Sequence, residues 1–254
     1  MTDPNLIVEA AGGRLAVTID RADKRNALSR AVLAALRETF ERHAKDESLC
    51  VATLTGAGDK SFAAGGDLRD LATVRTVEEA EIMADQAKAA LDAIRRFPVP
   101  VVAALNGDAL GGGAELAASC DFRVAASHAR IGFIQGRLNI ATAWGGGIDL
   151  ARIVGTTAAL RLVARSELLS GHEALALGLV DVAAGEGQSL DDCLEAFLAP
   201  IMRQTPHVLR AFKTLNLGSR RDLPRDQLMQ LETRLFADTW AHQDHWDAAD
   251  KLLK

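Results

Sequence analysis

The sequence predicts an α/β protein, and three observations carry that prediction. Short apolar runs rich in β-branched residues alternate along the chain with segments of helical periodicity. Two strand-to-helix junctions, "SFAAGGDL" (61–68) and "NGDALGGGAEL" (106–116), consist largely of small residues. From Leu190 onward the pattern is almost wholly helical.

The elements follow in order. "LIVEA" and "RLAVTID", with Gly12 and Gly13 between them, read as a hairpin. Ser29 can cap a helix from Arg30 to about His43, with Val32, Leu33, Leu36 and Phe40 on its apolar face. "CVATLTG" (50–56) is the next buried strand, and "SFAAGGDL" should lead from a strand into a helix. Thr76 and Glu79 form a capping box for a long helix ending near Phe97, stopped by Pro98 and Pro100. "VVAAL" is a strand, followed by the triple-glycine turn, a short helix around Glu115–Ser119 and the strand "CDFRVAA". Ser170 and Glu173 make a second capping box, and Gly178 suits a left-handed helix end. Pro206 and Pro224 punctuate the helical C-terminal part.

Composition narrows the function. The 254 residues are 48% apolar and 25% charged, an ordinary globular balance. A net charge of −5 without a basic cluster disfavours nucleic acid as a partner. No apolar run approaches the length of a membrane span, and "MTDPNLIVEA" lacks the layout of a signal peptide. Cys50, Cys120 and Cys193 are odd in number and in no metal-ligand spacing, so they read as buried small hydrophobes in a cytoplasmic protein. His242 and His245 read as surface histidines, Asp149 as a helix-start acid, and "SRRDLPR" (219–225) as a solvated loop. Ser119 and His128 have no triad partners in sequence.

The glycine loops carry the chemistry. Small residues leave backbone N–H groups bare, and two convergent N–H donors stabilise an oxygen that gains negative charge, each typically worth ~10²–10³ in rate. Close-packed tight turns would use the same residues. A dinucleotide loop fits less well, because "GDALGGG" lacks the G-x-G-x-x-G order.

"SFAAGGDL" and "PVVAALNGDALGGGAELAASCDFRVAA" resemble the two signature segments of the crotonase (enoyl-CoA hydratase/isomerase) superfamily. "RADKRNALS" resembles its first CoA-binding turn, and "LLSGHEALALGLVDVA" its later segment. The resemblance implies a spiral of repeated ββα units over residues 1–189. It implies a helical oligomerisation region over 190–254, giving a homotrimer or homohexamer. It implies an acyl-CoA thioester as substrate, with CoA as part of the substrate and no separate cofactor or metal. By position, Gly66 and Gly112 are the expected donors to the thioester oxygen, and Glu115 the first catalytic glutamate. Ala64, Asp67 and Leu68 are expected to line the CoA and acyl path, and the backbone at Lys24, Arg25 and Asn26 to contact the nucleotide end.

One departure stands out. The second glutamate of the hydratases falls at Gln135, and no Asp or Glu occurs between Asp121 and Asp149. An amide cannot carry a proton near neutral pH. The sequence therefore favours a lyase in which decarboxylation of a malonyl-type CoA forms the enolate, and "FIQGRLNIATAWGGG" resembles the ethylmalonyl-CoA decarboxylase-like branch. Trp144 would wall the acyl pocket. The alternatives are a conventional enoyl-CoA hydratase or isomerase and a non-catalytic scaffold of the same fold. Ala143 lacks the nucleophile of the dehalogenase branch, and the chain has no tyrosine for phenol-dependent branches.

Overall fold

The computed structural model describes residues 5–253, so the first four residues of "MTDPNLIVEA" and Lys254 lie outside the described residues. Strands β1 (Leu6–Ala11) and β2 (Arg14–Ile19) form the expected antiparallel hairpin. Its turn places Gly12 and Gly13 at φ +58° and +80°, where a side chain would be strained. Helix α1 (Arg30–His43) starts at Ser29, whose hydroxyl accepts from the Val32 amide. Strands β3 (Val51–Gly56) and β4 (Ser61–Ala63) follow, then helix α2 (Val77–Arg95) behind the Thr76–Glu79 capping box.

The next turns of the chain repeat this order. Strands β5 (Val101–Leu105) and β6 (Asp108–Leu110) lead into α3 (Gly112–Ser119). Strands β7 (Phe122–Ala125) and β8 (Arg130–Gly132) lead into α4 (Gly146–Val154) and α5 (Thr156–Arg165). Strand β9 (Leu169–Ser170), helix α6 (Gly171–Ala176) and strand β10 (Val182–Ala183) complete the sheets. One sheet has the order β1-β2-β3-β5-β7-β10 and the other β4-β6-β8-β9. After the β1–β2 hairpin, which lies wholly in the larger sheet, the units beginning at β3, β5 and β7 each add one strand to each sheet, which is the spiral expected.

Burial explains the strand compositions. β5 is buried at every position and β3 at nearly every one, as parallel strands covered on both faces must be. Phe40, Phe62, Leu91, Ile94 and Phe97 fill the main core, and the Phe40 and Phe97 rings meet edge to face. The other face of the large sheet packs Val51, Val102 and Val124 against Cys193, Leu194 and Leu198 of α7 (Leu190–Ile201). The C-terminal helices therefore begin as part of the core. Helices α8 (Pro206–Arg220), α9 (Arg225–Ala241) and α10 (Gln243–Leu252) extend beyond it, and α9 and α10 have no buried residue.

Two readings change, and a third gains partners. The segment after Gly66 is not a helix but a 3-10 turn at Asp70–Thr73, because Asp67 accepts from the Arg69 and Asp70 amides and closes the chain locally. Arg220 is not in a solvated loop: it ends α8 and pairs with Asp121 and Asp149. Asp149 does lie in the first turn of α4, yet it is buried and ion-paired. All three cysteines are buried and free.

Candidate active site

The site lies where β4, β6 and β8 end. These strands are parallel neighbours, so the loops that leave them emerge side by side. Gly111, at φ +53°, turns the chain from β6 into α3, and its amide donates to the Gly132 carbonyl at the end of β8. α3 is buried along almost its whole length, which accounts for its small residues. A Cβ on Gly113 would lie 2.0 Å from the Ala63 carbonyl oxygen, so only glycine lets α3 start against β4.

The two signature loops meet across one side chain. A Cβ on Gly112 would fall 2.3 Å from the Trp144 ring, and one on Gly66 3.6 Å from the same ring. Gly65, at φ +108°, places its own Cβ direction 3.7 Å from the Gly112 amide nitrogen. Leu28 uses the Gly65 carbonyl and the Asp67 amide, at 2.8 and 3.0 Å, so the intervening Gly66 amide faces away from that strand-like contact. Gly112 opens α3, where the first amides have no intrahelical acceptor.

Glu115 is only 2% exposed, in the first turn of α3. Its Oε2 accepts from the Trp144 and Gly146 amides, each at 2.9 Å, and its Oε1 accepts from Gln135 Nε2, also at 2.9 Å. Gly146 opens α4, so the carboxylate sits on that helix's N-terminus, where the backbone dipole favours negative charge. Burial pushes the carboxyl above its ordinary range, and the hydrogen bonds from Gly146, Trp144 and Gln135 offset this only in part.

Gln135 is 8% exposed and begins a 3-10 turn, Gln135–Leu138, shortly after β8. An ionised carboxylate only accepts, so the Gln135 amide must present its nitrogen to Glu115. Its carbonyl Oε1 is buried without a partner. Gln135 also lines a cavity of about 710 Å³ whose walls include Phe133, Ile140, Ala141, Ile148 and Leu160.

The residues expected on the CoA path lie around the Gly66 loop. Asp67 turns its carboxylate to Arg21 at 2.9 Å; burial pushes that carboxyl up, but the Arg21 hydrogen bond and the loop amides bring it below its ordinary value. Leu68 is 62% exposed, and the Ala64 amide donates to the Arg25 carbonyl. Arg25 and Asn26 both have left-handed backbones. Asn26 is buried, its side chain donating to the Ala57 and Ser61 carbonyls and accepting from the Arg21 amide. Lys24 is exposed on the same turn.

Two features escaped sequence reasoning. The first is that α4 caps Glu115; the doublet Gly145-Gly146 was the signal, since a Cβ on Gly146 would lie 2.4 Å from the Glu115 Cβ. The second is Arg95, which donates to the Trp144 carbonyl at 3.0 Å and pairs with Asp149 at 2.8 Å. Ser119 donates to the Leu116 carbonyl, and His128 meets the Asp59 and Asn106 carbonyls, so neither joins the site. Among the described residues, no group of three or more His, Cys, Asp or Glu is placed to hold a metal. No helix among them is long and apolar enough to cross a membrane.

Comparison with known proteins agrees with this architecture. The chain is 32% identical over 253 residues to the short-chain-enoyl-CoA hydratase of Clostridium acetobutylicum, covering 98% of this chain and 95% of that protein. It is 31% identical over 255 residues to the crotonyl-CoA hydratase of Syntrophomonas wolfei, covering 100% and 96%. The crystal structure of an enoyl-CoA hydratase from Bacillus anthracis superposes with a TM-score of 0.91 at 28% identity, over 98% of this chain and 95% of that one. Residues 9–251 match the family described as enoyl-CoA hydratase/isomerase. With this fold and this arrangement of glycine loops and buried glutamate around Trp144, the chain belongs to the enoyl-CoA hydratase/isomerase family of enzymes, within the crotonase superfamily.

Proposed function

We propose that this protein is an acyl-CoA lyase that adds water to an enoyl-CoA thioester, with Glu115 as its single proton carrier. The observation that carries this reading is the pairing of Glu115 Oε1 with Gln135 Nε2, which leaves Gln135 Oε1 as a second, unpartnered acceptor beside the carboxylate. A water that donates one hydrogen to each of these oxygens aims its lone pair away from both, toward the β-carbon of a bound enoyl group. The C–O bond forms as Glu115 takes the water's proton, and the π electrons move onto the thioester oxygen. The Gly66 and Gly112 amides receive that charge. Glu115 then returns the proton to the α-carbon and the thioester carbonyl reforms. A carboxyl held above its ordinary range by burial is suited to both halves of this shuttle.

The neutral amide at position 135 keeps decarboxylation of a malonyl-type thioester as the second reading, because it adds no charge against a substrate carboxylate. Hydration comes first on the geometry. A substrate carboxylate at this point would meet the Glu115 carboxylate and Gln135 Oε1, two acceptors. The hydratases among the relatives support the same order.

In this reading the CoA moiety runs past Ala64, Asp67 and Leu68 toward the left-handed turn at Lys24, Arg25 and Asn26. The exposed apolar side chains of α9 and α10, among them Met229, Phe236, Trp240 and Trp246, are the proposed contacts in a homotrimer or a dimer of trimers. A turnover screen of crotonyl-CoA against methylmalonyl-CoA and ethylmalonyl-CoA tests the assignment. Consumption of crotonyl-CoA without CO₂ release from the other two is expected. The reverse pattern would overturn hydration in favour of decarboxylation.

A further inference from the structure

Behind Trp144 lies a lattice of ion pairs to which the reaction so far gives no role. Arg95 ends α2 with its side chain 12% exposed, and its guanidinium is held from three directions. Nη1 pairs with Asp92 at 2.8 Å, Nε donates to Asp149 Oδ2 at 2.8 Å, and Nη2 donates to the Trp144 carbonyl at 3.0 Å. We propose that Arg95 is a positioning residue for Glu115: it holds the Trp144–Gly146 turn so that the turn's amides stay on the carboxylate. This rests on the reading of Glu115 as the proton carrier.

The geometry runs as one chain of contacts. Trp144 donates its N–H to Glu115 and gives its carbonyl to Arg95, so the residue is held from both sides. Gly145, at φ +87°, packs so closely that a Cβ there would lie 2.9 Å from Arg95 Nη2. Gly146 then supplies the second amide to Glu115 and opens α4. Asp149 lies within the first turn of the same helix, so Arg95 grips α4 at a point before its start and again just inside it. Two points fix the direction of a helix end where one would let it swing.

The surrounding charges are shared among several partners. Asp149 also pairs with Arg220 of α8 at 3.3 Å; Arg220 reaches Asp121 at 3.2 Å, and Lys213 of α8 pairs with Asp121 as well. Asp92 also takes the exposed Arg96 at 3.4 Å, so Arg95, Arg96, Arg220 and Lys213 stand against Asp92, Asp149 and Asp121. Glu115 itself meets only Gln135 and the backbone amides of the turn. Arg95 therefore acts on Glu115 through the turn rather than by direct contact.

This separates positioning from simple support. A buried ion pair that only stabilises the fold leaves the titration of a distant carboxyl unchanged when it is removed. A grip on the turn does not. Loss of Arg95 lets the two amides withdraw; those amides favour the charged carboxylate, so Glu115 then holds its proton to higher pH. The base form becomes scarcer on the acid side of the profile.

The test is the pH dependence of kcat/KM for crotonyl-CoA, paired with carbon NMR titration of the Glu115 carboxyl, which needs no substrate. Arg95→Met should raise the acid limb and the NMR midpoint by about half a pH unit or more. Arg95→Lys, which keeps a charge but not the three-way fork, should fall between it and wild type. Arg14→Met, which removes the Arg14–Glu195 pair far from the turn, should move neither. A folded Arg95→Met with the wild-type limb and midpoint overturns the proposal; if that variant does not fold, an unshifted Arg95→Lys does the same. Full activity in Glu115→Gln would instead remove the reading of Glu115 on which the proposal rests.

Discussion

Glu115 answers two opposed demands. The proposed mechanism needs a carboxylate beside the α- and β-carbons of the acyl group, whereas burial penalises its charge. The amides at the start of α4 and the Gln135 nitrogen reduce that penalty without removing it. Substituting Glu115→Gln should therefore reduce turnover by ~10²–10⁴ and raise the melting temperature at pH 7. The folded-state carboxyl titrates above its unfolded value, so wild type and variant should be equally stable below about pH 4. Their stabilities should then part as pH rises through the higher folded value. Melting curves at both ends of that range check this, and a variant no more stable at pH 7 would contradict it. Restoring a second carboxylate, Gln135→Glu, should raise crotonyl-CoA hydration by about tenfold or more, because a second proton carrier then joins the oxyanion donors and Glu115. Equal rates in steady-state assays would count against position 135 as part of the acyl site. The sequence placed Glu115 and Gln135 together, since position along a familiar motif is legible. It could not show the orientation of the Gln135 amide, which is fixed by a partner 20 positions away.

At the scale of elements, the short helix α3 is positioned by what it lacks. Gly111 and Gly113 look alike in sequence but carry different constraints. Gly111 has open space around its Cβ direction and needs only its positive φ, whereas Gly113 abuts the Ala63 backbone at 2.0 Å. Gly111→Ala should cost about 1 kcal/mol, and Gly113→Ala should cost more because a strand or a helix must move. Urea denaturation of the two variants ranks them, and the opposite order would contradict the packing described. The capped helices α1, α2 and α6 were legible because their caps are local: Ser29, Thr76 and Ser170 each bond within three residues. The helix expected after Gly66 failed for a similar local reason, since Asp67 binds its own loop and Arg21 rather than starting a regular helix. Long-range partners such as Arg95 and Asp149, or Arg220 and Asp121, have no local signature: in sequence Asp149 reads as a helix-start acid and Arg220 as part of a loop, and nothing there pairs either with its partner.

At the scale of the molecule, the C-terminal helices divide into two parts. α7 belongs to the core, whereas α9 and α10 expose Phe236, Trp240, Trp246 and Leu252, and His207 of α8 stacks on His242 at the junction of α9 and α10. Sedimentation at micromolar concentration should show a trimer or a dimer of trimers, and a monomer would refute the proposed assembly. Trp240→Ala with Trp246→Ala should weaken it.

The strand order has one further consequence. β4, β6 and β8 are adjacent, and each places residues of the candidate site just past its end: Gly66, then Gly112 with Glu115, then Gln135. Neighbouring strands lie ~4.8 Å apart, a spacing that lets donors on adjacent rungs share one oxygen at hydrogen-bond distance. In the proposed mechanism the small sheet is a ruler laid across the substrate, with oxygen binding on the first two marks, proton transfer on the second and water placement on the third. Because each mark is carried by its own loop, the chemistry at one can change while the others keep their place. A glutamine on the third mark, beside an intact first and second, is an alteration such a ruler permits.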